Sequence, residues 1–373
     1  LNTEKTPIAL VYWGRLGAGA ALMSQIAEAL DRDERFALFL SPSLHSELPP
    51  RLPATRLLPI PTFSNPLSLL YRTAILPMTV RKLVCDIKAR NVQAIVTIMP
   101  HVWGLALRRA AAREGIRTLL IVHDADPHPG ERRPLFDWLV RWEIRASDHI
   151  VTFSGHVADR LVARGDVDEA RVSRLFHPVF RFGKTSEGSA PGSPFRLLFF
   201  GRILPYKGVA MLLDAYALLR AAGIDMTLRI AGRGEIDAPA ALMTQPGLTI
   251  ETGWVAPDAI GDILAGADAV ALPYLEASQS GVVAAAYGAG LPVVATPVGG
   301  LKEQVIDGTT GTLSQSASAK DFADAIRRLI ETPGLYETCH AGVAAQTQAQ
   351  SLERFARVLG DAILTTTAKA PRA

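Results

Sequence analysis

The chain has 373 residues, enough for two domains of ordinary size, each with its own core. With 49% hydrophobic and 20% charged residues it reads as a folded globular protein, and its two cysteines, Cys85 and Cys339, are too few and too distant for a disulfide framework or a thiolate metal cluster. A net charge of +3 without aromatic-basic interleaving argues against nucleic acid as a partner.

The first half alternates strand and helix patterns. Strands are expected at Ile8 to Tyr12, Phe36 to Leu40, Ala94 to Met99, Thr118 to His123 and His149 to Ser154. Helices are expected after Gly19, over a long stretch ending at Arg90, from Trp103, and around Asp137 to Ala146. Such alternation predicts a parallel sheet covered by helices on both faces. The chain starts at Leu1 rather than Met and shows no basic-apolar-small leader pattern, and a reducing cytoplasm fits its cysteine usage.

Charge is uneven within this half. Residues 51 to 90 carry Arg51, Arg56, Arg72, Arg81, Lys82, Lys88 and Arg90 against one acid, Asp86, and enclose the apolar runs Leu57 to Ile60 and Leu67 to Tyr71. Basic and apolar together suit an anionic membrane surface or a lipid-linked diphosphate, and an ordinary solvated helix is the equal alternative. After the first strand, Gly14-Arg15-Leu16-Gly17-Ala18-Gly19 opens a helix, but Leu22 stands where a dinucleotide fingerprint needs its last glycine, and no Gly-Lys-Ser/Thr follows. The densest polar cluster, His123-Asp124-Ala125-Asp126-Pro127-His128, follows a strand end, as does His101.

Lys184 to Pro194 is polar and rich in breakers, hence a linker, and beyond it the alternation restarts. Arg196 to Phe200 reads as a buried strand and Gly208 to Ala222 as a helix, with Gly201-Arg202-Ile203-Leu204-Pro205-Tyr206-Lys207 between them. Gly201 permits a tight turn, Arg202 offers a planar fork to phosphate oxygens, and Lys207 adds a point charge beside a helix N-terminus, an arrangement suited to a diphosphate. Further strands are expected at Met226 to Gly232, Leu248 to Val255, Ala269 to Tyr274 and Leu291 to Gly300. The charge-free run Ala277 to Leu301 is too broken by Gly288, Gly290, Pro292, Pro297 and Gly299 to span a membrane.

The order of these segments over residues 196 to 331, with Gly299 to Gly308 and Gly311-Thr312-Leu313, resembles the carboxyl-terminal half of nucleotide-sugar glycosyltransferases of the GT-B fold, nearest to the retaining family 4. The resemblance implies an α/β protein of two Rossmann-like, doubly wound parallel-sheet domains facing a cleft. Residues 1–184 would bind the acceptor, 185–194 link, 195–350 bind the nucleotide sugar, and 351–373 form a last helix that returns to the first domain in this architecture. By resemblance, Arg202 and Lys207 stabilise the leaving diphosphate, His123 contacts the donor sugar, and Gly17 and Gly201 lie by the donor. Arg15, His101, Asp124, Asp126 and His128 become acceptor-side candidates. Asp124 and Asp126 match the metal motif of the other glycosyltransferase fold, yet Arg202 and Lys207 already supply phosphate charge, so no metal is expected.

One departure stands out. Family 4 places two glutamates eight residues apart where this chain has Ala277 and Ala285, and Glu276 lies one position early. Ser278-Gln279-Ser280-Gly281 is similar to a variant turn of some relatives, and with Val282 it is expected to present hydroxyl and backbone N–H donors to the donor sugar. Glu303 is a further donor-side candidate. The expected reaction moves a hexose-type sugar with retention from a UDP- or GDP-sugar, without other cofactor, to a saccharide acceptor carried on polyprenyl diphosphate. The expected setting is polysaccharide assembly on the inner face of the plasma membrane. A sugar-nucleotide-binding protein without transfer, or a GT-B epimerase, remain the alternatives.

Overall fold

The structure, a computed structural model, describes residues 5–14, 18–44, 52–130, 133–183 and 191–368. Its chain divides into two compact units: Leu1–Pro127, Glu131–Phe176 and Leu352–Ala373 form one, and His128–Gly130 with His177–Ser351 the other.

The first unit runs β1 (Thr6–Tyr12), α1 (Ala18–Asp31), β2 (Phe36–Pro42), α2 (Pro66–Ala74), α3 (Leu76–Lys88), β3 (Ala94–Thr97), α4 (Gly104–Arg113), β4 (Arg117–Val122), α5 (Pro134–Ala146), β5 (His149–Thr152), α6 (Gly155–Ala163) and β6 (Val172–Arg174). All six strands pair in parallel, in the order β2-β1-β3-β4-β5-β6. Strands buried on both faces read as apolar runs, which is why Ile8 to Val11 and Leu119 to Val122 show no polar alternation. Ala9, Val11 and Ile95 meet Val80, Leu83 and Ile87 of α3 and Leu107 of α4 in one core. The long helical stretch expected before Arg90 is two helices. Asn65 and Ser68 form a reciprocal capping box at the start of α2, and the chain breaks at Ile75, just before Pro77 in the first turn of α3.

The second unit runs β7 (Phe195–Phe200), α7 (Val209–Ala221), β8 (Met226–Gly232), α8 (Ala240–Met243), β9 (Leu248–Thr252), α9 (Ile260–Ala265), β10 (Ala269–Leu272), α10 (Gly281–Gly288), β11 (Val293–Ala295), α11 (Leu301–Gln304), β12 (Gly311–Leu313), α12 (Ala319–Glu331) and α13 (Leu335–Ala349). Its parallel order is β12-β11-β10-β7-β8-β9. Apolar on every side, α10 is buried, as such helices are. The units part at 176/177, ahead of the stretch 185–194. Val179 and Phe182 pack with the second unit's core, Val179 N–H donates to Gln350 O at 3.0 Å, and Phe180 N–H to Ala284 O at 3.3 Å. Of the linker, 184–190 lies outside the described residues, as does Arg51.

The last helix, α14 (Leu352–Ala368), counts with the first unit. It packs on α1 and β4, and Arg35 bridges to Asp361 at 2.6 Å. Among the described residues no helix is long and apolar enough to cross a membrane, and no group of three His, Cys, Asp or Glu could hold a metal ion.

Candidate functional site

In open parallel sheets, ligands bind beyond the carboxyl ends of the strands where the strand order reverses. Each unit has such a reversal: between β7 and β10 in the second, between β1 and β3 in the first.

In the second unit, the loops after β7 and β10 carry most of the candidates. A short 3-10 turn, Pro205–Lys207, follows β7, and Gly208 caps α7 in the left-handed region at φ +67°. A Cβ on Gly208 would lie 1.9 Å from Pro273 O, so the turn after β7 is pressed against the chain leaving β10 and only glycine fits. The same contact seats Lys207: its Nζ lies 3.6 Å from the ring centre of Tyr274 and 5.0 Å from that of Tyr206. Arg202 Nη2 donates to Tyr206 Oη at 3.4 Å. Burial pushes the Tyr274 phenol up to about 12, so Lys207 lies over a neutral ring. Gly201 lies against Val282, where a Cβ would meet Cγ2 at 3.5 Å, which places the start of α10 beside the β7 turn.

The Ser278–Gly281 turn is built differently from the sequence expectation. Ser280 caps α10, its Oγ accepting from Val282 N–H at 3.3 Å and lying 3.4 Å from Tyr274 Oη. Its own N–H donates to Gln304 Oε1 at 2.7 Å, and Gln304 Nε2 returns a bond to Ser280 O at 3.2 Å. The Ser280 N–H expected to serve a ligand is therefore consumed inside the protein. Gln304, not among the site residues expected from the sequence, is the buried polar member of α11 that holds the turn, whereas its neighbour Glu303 is exposed. Gln279 Oε1 is buried without a hydrogen-bond partner among the described residues, an acceptor of the kind a ligand hydroxyl would satisfy. Ser278 is buried in the same turn. Within this unit His128 stacks on Tyr206, ring centres 4.4 Å apart at 14°, and its Nδ1 lies 3.7 Å from Glu276 Oε1. Tyr206 and Tyr274 could have been suspected from their place beside the cations.

In the first unit, His123 directly follows β4. It is buried, with Nε2 3.1 Å from Ile98 O and its ring edge-on to Phe153 at 4.6 Å. A carbonyl only accepts, so the proton sits on Nε2, and burial lowers the pKa, keeping the imidazole neutral near pH 7. Asp124 adjoins it, while Asp126 is held by Arg160 at 2.6 Å and by Arg164, which pull its pKa down against burial. Arg15 and Gly17 lie outside the described residues. The flanking Gly14 and Gly19 have a local reason to be glycine: a Cβ on either would strike Tyr12 Oη, at 2.3 and 2.5 Å.

His101 follows β3. Its Nδ1 accepts from Trp103 N–H at 3.2 Å, its N–H donates to Glu143 Oε2 at 3.0 Å, and burial pushes its pKa down to about 4. Glu143 is itself wholly buried and paired to Arg108 at 3.1 Å. His101, Trp13 and Phe63 wall a pocket of about 570 Å³ at the β1/β3 reversal.

Residues 194–332 match the family model described as glycosyl transferases group 1, and residues 17–175 match the glycosyl transferase 4-like domain. Together the two matches span most of the chain's length. It is 32% identical over 193 residues to D-inositol 3-phosphate glycosyltransferase of Arthrobacter sp. (strain FB24), covering 49% of this chain and 46% of that protein. It is 29% identical over 279 residues to the enzyme of the same name from Pseudarthrobacter chlorophenolicus, covering 70% and 65%. The chain spans about half to two thirds of these curated relatives. Among solved structures, sucrose-phosphate synthase from Thermosynechococcus elongatus superposes with a TM-score of 0.74 at 17% identity, over 98% of this chain and all of that one. Anabaena HepE in complex with UDP and glucose gives 0.70 at 17%, over 96% and 100%. At such identities the structures bear on the fold, which is GT-B. Both domain matches and the relatives' names are those of glycosyltransferases.

Proposed function

We propose that this chain is a retaining glycosyltransferase that moves a hexose-type sugar from a nucleoside diphosphate sugar to a lipid-linked saccharide, as in polysaccharide assembly. The observation that carries the reading is the meeting of Arg202, Lys207 and the Ser278–Gly281 turn at the reversal between β7 and β10. Two cations there are suited to a diphosphate, whose charge grows as it leaves. In the reaction, the bond from the sugar's anomeric carbon to the diphosphate oxygen breaks, and the acceptor oxygen bonds that carbon on the same face. The acceptor's proton passes to the leaving oxygen. No side-chain nucleophile enters this route, in keeping with alanine at both 277 and 285. Gln279 Oε1 accepts from a sugar hydroxyl, and His123, neutral and fixed by Ile98 O, orients the sugar. That solved neighbours hold UDP and glucose favours a uridine donor.

The acceptor reading rests on the first unit. The relatives' name points to a small phosphorylated cyclitol, but no charged side chain is among the described residues of the pocket at His101. On α2 and α3, exposed Leu67, Leu70, Tyr71 and Met78 accompany Arg72, Arg81 and Lys82. Apolar residues ringed by cations fit the surface of an anionic bilayer, where a lipid-linked acceptor resides.

The test is a transfer assay with UDP- and GDP-hexoses and a polyprenyl-diphosphate-linked saccharide, reading the anomer formed. Lys207→Ala is expected to lower turnover roughly 10²–10³-fold, as removal of one charge-stabilising donor does elsewhere. Near-normal turnover in that variant, or an inverted anomer, would sink the reading.

A further inference from the structure

The pocket at the β1/β3 reversal has a mainly apolar lining. Its volume of about 570 Å³ is ordinary for a small-molecule site. Several of the polar side chains there are engaged within the protein. Thr62 Oγ1 and Ser43 Oγ bond each other at 2.6 Å, and Asn65 Oδ1 accepts from Ser68 N–H at 2.8 Å as the cap of α2. Trp13 Nε1 donates to Ser41 Oγ at 3.3 Å, and His101 Nδ1 takes the Trp103 N–H. The larger part is apolar surface: the rings of Trp13 and Phe63 set around an uncharged His101 at 5.6 and 5.8 Å, closed by Leu69 of α2.

Helix α2 links this surface to the outside. Its inner side carries Leu69 to the pocket, while Leu67, Leu70 and Tyr71, turned away along the helix, are 80%, 70% and 61% exposed. Arg72 lies over the Tyr71 ring at 5.6 Å, so a cation borders the exposed apolar side. A nine-residue helix that is apolar toward a pocket and again toward solvent, with a cation at its edge, has the make-up of an element lying in a lipid interface.

We propose that the pocket takes the hydrocarbon chain of the lipid-linked acceptor, drawn from the bilayer on which α2 rests, so that the enzyme recognises the lipid as well as the sugar at its end. The proposal rests on the transferase reading for its biological setting, but the binding it describes is measurable alone. The full chain is titrated with butyl phosphate and decyl phosphate, both kept monomeric, with inorganic phosphate as the headgroup control. Decyl phosphate is expected to bind at least tenfold more tightly than butyl phosphate, because the apolar lining rewards each methylene it buries. Ser64→Trp, which sets a ring at an exposed position of the pocket's mouth, should reduce that ratio below threefold with an unchanged melting curve. Leu69→Asp should do the same if it folds. Equal affinity for the two alkyl phosphates, or a ratio that Ser64→Trp leaves intact, overturns the proposal. Nucleotide titration of the same samples separates the two claims: a chain-length effect without nucleotide binding overturns the transferase reading and upholds the pocket, and the reverse result does the opposite.

Discussion

Lys207 is seated against aromatic rings. Its ammonium sits 3.6 Å from the Tyr274 ring centre, an attraction worth roughly 0.5–2 kcal/mol, and the ring's own hydroxyl is engaged with Ser280. Tyr274→Leu should therefore weaken nucleotide binding about fivefold through loss of that seat, and Tyr274→Phe, which keeps the ring, should change it little; calorimetry on both decides. Gly208 is the backbone counterpart. Gly208→Ala combines a left-handed φ with a Cβ 1.9 Å from Pro273 O and is expected to lower the unfolding free energy by about 1–3 kcal/mol in urea titration. A near-neutral result would mean the two loops are not held together there. The turn after β7 that carries Arg202 and Lys207 was legible because a strand, a glycine turn and a helix form a local pattern, whereas the close approach of Gly208 to Pro273 was not. Nor was Gln304: successive residues of a helix point about 100° apart, so which of Glu303 and Gln304 faces the turn rests on a rotation no local pattern fixes. Tyr12 was missed for a related reason, since the glycines that make room for its ring read as turn residues first.

At the scale of elements, the loop after β3 is held from behind by α4 and α5. Arg108 and Glu143 join those helices by a pair with no exposure, and Glu143 spends its second oxygen on the His101 N–H. Removing one partner strands the other charge in the core, so Glu143→Ala is expected to cost about 3–5 kcal/mol, while the double change Arg108→Met with Glu143→Leu should cost much less. Chemical denaturation of the three proteins tests this, and equal losses in single and double variants would contradict it. Strand and helix types were readable from apolar runs alternating with helical spacing. Their joints were less so: Asn65, Ser68 and Pro77 make two helices where apolar periodicity alone suggested one. The sequence also left Val172 to Arg174 without a strand, because three residues carry too little pattern to read.

For the molecule as a whole, stability should depend on pH through groups that ionise differently when folded. Burial holds His101 near 4 against an ordinary 6.5 and lowers His123 as well. The unfolded chain takes up those protons first, so stability is complete above about 6.5 and falls as the pH drops toward 4. His101→Gln should flatten that part of the profile in thermal melts, and an unchanged slope would place the effect elsewhere. Each unit reverses its strand order once, and both reversals gather functional residue types: cations and a Ser/Gln turn in one, an aromatic pocket in the other. The central claim is that the first of these holds a nucleoside diphosphate. The direct measurement is calorimetric titration of the full chain and of Lys207→Ala with UDP and GDP. Saturable binding of one nucleotide, weakened tenfold or more by the substitution, is the predicted result; binding of neither, or binding that Lys207→Ala leaves unchanged, would contradict it.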